Sequence, residues 1–152
     1  MQDFPPDADA EQTYYAYSAT LRIHGDCLPL DQITKHLGIQ PTHQHRKGDP
    51  PKPGGRGASS DAWHLTAAVP EEVELTEHLR ELWRTIKPGI EYLRSLDAKV
   101  DVFCGYRSND GIVGFEVAPD ALEIFRALNV PFGVSVIIES WLEERLGTPT
   151  LQ

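Results

Sequence analysis

The chain has 152 residues, 40% of them hydrophobic and 24% charged, with two cysteines and a formal net charge of −9. That length suits one domain that buries its core without disulfide or metal help, and no apolar run reaches the roughly 18 residues of a membrane span. The acidic balance argues against binding nucleic acid or an anionic membrane surface, and favours a protein partner, a basic one by charge.

The first twelve residues are acidic and rich in proline, with neither the basic flank nor the apolar stretch of a signal peptide, and read as a disordered lead-in (1–12). Tyr15, Tyr17, Ala19, Leu21 and Ile23 then alternate with small or polar residues, the period of a strand with one buried face. Leu30, Ile33 and Leu37 fall at helical spacing, and Gly38 suits the helix end. A short extended piece over 39–45 leads into 46–61, where Pro50, Pro51, Pro53, Gly54, Gly55 and Gly57 predict a loop. Residues 62–67 alternate again, with Trp63 and Leu65 on one side and His64 and Thr66 on the other.

The stretch 71–97 is the clearest helix. Leu75, Leu79, Leu82, Trp83, Ile86, Ile90 and Leu93 make one apolar stripe. Pro88 has no amide hydrogen to donate, which predicts a break at Lys87-Pro88-Gly89. Val100, Val102, Cys104 and Tyr106 form a strand, and the turn signal Ser108-Asn109-Asp110-Gly111 followed by Val113, Phe115 and Val117 predicts a hairpin. Pro119 opens a further helix lined by Leu122, Phe125 and Leu128 and ended by Asn129. Phe132, Val134, Val136 and Ile138 give the last strand, and 141–146 a helical tail whose Trp141 covers a core edge.

The expected order is β-α-β-β-α-β-β-α-β. It implies one α+β domain over 13–146, with a mostly antiparallel sheet and helices packed on one face, ferredoxin-like, before a tail at 147–152. Cys27 and Cys104 lie far apart in no ligand spacing, which points to a reduced, cytoplasmic protein.

Several stretches together resemble the bacterial domain of unknown function 4279 family. They are 17–26, Leu37-Gly38-Ile39-Gln40-Pro41-Thr42, Arg46-Lys47-Gly48-Asp49, Trp63, Phe103-Cys104-Gly105-Tyr106 and 114–122. The resemblance implies a prokaryotic cytosolic protein and supplies no catalytic residue. Two positions depart from the family pattern: His45 stands where an aromatic is usual, and Ala118 where Ser precedes the proline.

Charge is unevenly spread. Between His43 and Arg56 four basic residues (Arg46, Lys47, Lys52, Arg56) face one acid, Asp49, so this segment is basic while the rest of the chain is strongly acidic. Such a loop can hold an anion through Arg46 and Lys47, with His45, Asp49 and Arg56 beside it and Trp63 or Tyr106 as an apolar wall. It can equally lie against acids of its own molecule, and Asp49 can close a turn by accepting backbone amides. His43 and His45 point the same way on an extended chain, and with His24 and His64 are weak candidates for a metal.

Three functions follow in order of expectation. The first is a non-enzymatic protein-interaction module, immunity-like in one version, with a homo-oligomer as one form of the interaction. The second is a small-ligand or anion-binding module using loop 43–56, and the third a metal-assisted hydrolase. No cofactor and no catalytic residue is expected.

Overall fold

The computed structural model describes residues 12–50, 54–112 and 114–139. Five strands, β1 (Tyr15–Gly25), β2 (His43–His45), β3 (Asp61–Thr66), β4 (Lys99–Ser108) and β5 (Val134–Ile138), form one sheet in the order β2-β3-β1-β4-β5. The helices are α1 (Leu30–Leu37), α2 (Leu75–Ile86), α3 (Ile90–Ser95) and α4 (Glu123–Leu128). Every neighbouring pair of strands is antiparallel except β4 and β5, which run parallel.

The alternation in β1 does what its period dictates. Tyr17, Ala19, Leu21 and Ile23 are buried, together with Trp63 and Leu65 of β3 and Val102, Cys104 and Tyr106 of β4. Against them pack Leu30, Ile33 and Leu37 of α1, Leu75, Leu79, Leu82 and Ile86 of α2, Leu93 of α3, and Ile124 and Phe125 of α4. Each such side chain stabilises the fold by about 1.5–3 kcal/mol relative to exposure. All four helices therefore contribute to one core on one side of the sheet.

The punctuation also behaves as the residues require. Gly38 ends α1 at φ 68°, the left-handed region open to glycine, and its N–H donates to the Thr34 carbonyl. Pro88 divides the long amphipathic stretch into α2, a 3-10 turn at Lys87–Gly89, and α3. Asn129 caps α4 at φ 55°.

Three expectations need correction. The long helix begins at Leu75, not 71, because 70–73 turn back through a Val73 N–H to Pro70 O bond. The hairpin at 108–117 does not form, and 114–118 make no strand; Val113 lies outside the described residues. Ser108 and Asn109 instead tie down the start of β1: Ser108 Oγ donates to Tyr14 O, and Asn109 Oδ1 accepts the Tyr14 N–H. The edge of β4 that a hairpin partner would take is occupied by β5, arriving after α4. The order is thus β-α-β-β-α-α-β-α-β, and the ferredoxin-like arrangement is not reproduced, since the sheet is mixed. The lead-in up to residue 11 and the tail at 141–146 lie outside the described residues.

Candidate functional site: the uncovered face of the sheet

If odd-numbered residues of β1 face the helices, its even-numbered ones must face away. Ser18, Thr20, Arg22 and His24 do so and are all half-buried; among the described residues no helix lies over them. Register carries this pattern across the sheet. One row reads His45, Ala62, His24, Lys99, and the next His43, His64, Arg22, Asp101. A third row places Thr66 beside Thr20 and Phe103, with a 2.8 Å bond between the two threonine hydroxyls.

The four histidines expected only as weak metal candidates are brought together here. His24 and His64 meet through their Nε2 atoms at 3.0 Å, and His43 Nε2 lies 2.9 Å from His45 Nδ1. The rings of His43 and His64 are 5.5 Å apart, so the two pairs adjoin. Burial, reinforced by the charge of Arg22, holds the His24 imidazole below its ordinary value. Burial together with the neighbouring histidines pushes His64 down to about 4. Both rings are therefore neutral at neutral pH. Among the described residues, no three groups of metal-ligating type converge on one point.

Beside the histidines, Arg22 makes a two-pronged ion pair with Asp101, Nε to Oδ1 at 2.7 Å and Nη2 to Oδ2 at 2.8 Å. This bond holds the Asp101 carboxyl below the usual carboxylate range. The guanidinium also lies 5.0 Å from the centre of the Phe103 ring. Further along, a hollow of about 240 Å³ is floored by Ala16, Ser18 and Gly105 and walled by Phe103, Arg107 and Ile137. A Cβ on residue 105 would sit 2.6 Å from Ser18 Oγ, so any larger residue at that floor makes the Ser18 hydroxyl move aside.

Part of the basic loop lies against acids of its own molecule, one of the two fates its sequence allowed. Asp61, buried at the start of β3, accepts the Leu28 N–H, the Lys47 N–H and Arg46 Nη1, each at 2.8 Å. Arg46 Nη1 also donates to Leu28 O, and its backbone N–H donates to Asp49 Oδ2, closing the turn. Arg46 is thus answered inside the molecule, Lys47 contributes its amide, and Arg56 is exposed. Trp63 and Tyr106 do not wall this loop: they sit on the core face of their strands, and Trp63 Nε1 donates to Thr34 Oγ1. Lys52 lies outside the described residues.

Sequence reasoning singled out neither Asp61 nor the Arg22–Asp101 pair. The signal for Asp61 was an acid at the mouth of an apolar strand directly after a basic loop. For Arg22 and Asp101 it was opposite charges on the polar phases of two alternating strands.

Fold and site define an α+β domain with one helical layer and a polar, uncovered sheet face. The chain belongs to the domain of unknown function 4279 family, whose signature matches residues 12–139. Searches of curated proteins and of solved structures give no match. No helix among the described residues is long and apolar enough to cross a membrane.

Proposed function

We propose that this domain is a non-enzymatic binding module that receives an acidic segment of a protein partner on the uncovered face of its sheet. The observation that carries the reading is the gathering of cations and imidazoles on one open face. In a chain of net charge −9, this face presents Arg22, Lys99 and Arg107 together with four histidines, Arg22 paired with Asp101 and Arg107 with Glu139. Glu71 lines the hollow beside Arg107, while Glu72, Glu74, Glu116 and Glu123 belong to 72–74 and 116–123, outside the strands. The partner expected from net charge alone was basic; here Lys99, with no ion pair among the described residues, is the charge left to draw an acidic segment, beside donors from Arg22 and the imidazoles. A row of hydroxyls and the Phe103 wall add polar and apolar contact area. A cytoplasmic setting fits this reading, with Cys27 exposed and Cys104 buried as free thiols.

The test uses the full chain, isotopically labelled, titrated with a short poly-glutamate peptide at low salt. Amide shifts confined to Thr20, Arg22, Phe103, Gly105 and Arg107, and abolished by Lys99→Glu with Arg107→Glu, support the proposal. Shifts that are absent, or that gather on α2, overturn it. A partner later captured from cells must lose binding to the same double variant and keep it for Arg84→Glu on α2.

A further inference from the structure

The histidine cluster has a chemistry that docking of an acidic segment does not need. Two Nε2 atoms 3.0 Å apart are one N–H and one lone pair aimed at each other, with a single hydrogen between them. His24 and His64 project from β1 and β3, strands paired over six residues, so the scaffold beneath the two rings is rigid. His43, directly opposite His64 on β2, is exposed, and turning towards the pair costs it one exposed hydrogen bond, to His45 Nδ1.

The geometry points to a binding site for a divalent transition metal ion of the zinc class, begun by His24 and His64 and completed by His43 turning away from His45. Two imidazole nitrogens on a tetrahedral zinc ion stand about 3.3 Å apart, so the pair opens by about 0.3 Å while both rings tilt to aim their lone pairs at an ion beside the line between them. The ion takes the place of the shared hydrogen. The displaced proton moves to Nδ1 of its own ring, so both rings stay neutral and each offers Nε2 as a ligand. As the side chains stand, two nitrogens meet and not three, in keeping with the lack of a preformed three-ligand cluster among the described residues. The third ligand therefore arrives with the ion, and water fills the remaining position.

The positive charges facing the site are Arg22, held by Asp101, and Lys99, opposite His24. Lys99 opposes the ion, and its removal tightens binding. The site stands whether or not the face also takes a protein partner, since the probe is the metal alone.

The experiment takes tag-free full chain, stripped with a chelator, and titrates zinc chloride while following imidazole nitrogen resonances and bound metal. The expected result is one equivalent bound, with the His24 and His64 Nε2 signals shifting together. His24→Gln and His64→Gln should each weaken binding by more than the ~10-fold typical of losing a supporting partner. Lys99→Ala should strengthen it, and His36→Gln, stacked on Tyr92 away from the cluster, should leave it unchanged. Failure of zinc to saturate the wild type, or zinc binding that survives in the His24→Gln/His64→Gln double variant, overturns the proposal. The resonance shifts are read on the wild type, so the outcome does not depend on any variant folding.

Discussion

The two faces of this sheet are made by the same strands, often by adjacent residues, yet they answer to different physics. On the helix side Ile23 and Trp63 are completely buried among mostly apolar neighbours, with the Trp63 indole N–H answered by Thr34 Oγ1. On the other side His24 and His64, one residue further along each strand, meet through a hydrogen bond in partial contact with water. The first face sets stability through area and packing. The second contributes little to stability and holds polar groups at fixed spacings, which is what a binding surface needs.

The contrast can be tested by substitution. The largest effect is expected from Ile23→Ala, which leaves a cavity in the core and should cost about 2–5 kcal/mol in denaturant unfolding. Its counterpart across the sheet, Thr20→Ala, removes one cross-strand hydroxyl pair and should cost under about 1 kcal/mol. Equal losses from the two would erase the distinction between the faces.

Asp61→Asn comes next. It removes the charge that holds Arg46 and the amides of Lys47 and Leu28, and should lower the melting temperature by several degrees. The amide of Lys47 and the Arg46 guanidinium keep the Asp61 carboxyl below its ordinary value. Its contribution is therefore complete above the unfolded carboxyl value, near pH 4, and is lost as pH falls through the lower folded value. Wild type and variant should converge in stability under acid; a constant gap between them down to about pH 2 would mean that the ionised clasp contributes nothing.

Ala118→Ser tests the helix side from the other direction. Residue 118 is extended (φ −63°, ψ 143°) before the 3-10 turn at Pro119–Leu122, and no side chain caps that turn. A serine there should add about 0.5–1 kcal/mol, read as a higher unfolding midpoint. The smallest effect belongs to the Arg22–Asp101 pair. Both side chains are about one-third exposed, so a double-mutant cycle should give a coupling below about 1 kcal/mol despite the good geometry.

Local rules made much of this architecture readable. Alternation marked β1 and β4, the glycine at 38 marked the end of α1, and Pro88 marked the break between α2 and α3. What the sequence withheld depends on which strands become neighbours. Ser108-Asn109-Asp110-Gly111 reads as a hairpin turn by composition, but its side chains bond to Tyr14, ninety-odd residues earlier, and β5 takes the vacant edge. The histidines illustrate the same limit. Alternation placed His43 with His45, and His64 on a polar phase, but only the order β2-β3-β1 brings His24 and His64 into contact. The clasp was hidden because the acid that answers Arg46 lies fifteen residues away, beyond a loop of unspecified path.

The central position of β1 bears on biosynthesis. It is the first of the described strands to be made, and its flank is complete only after β4 has followed. Its apolar row meets α1 and α2 before then, but its second hydrogen-bonding edge stays open, and the sheet closes through contacts between distant segments, a slow route to assembly. Protection of that edge by a chaperone during translation is therefore most valuable between the emergence of Tyr15 and that of Ser108.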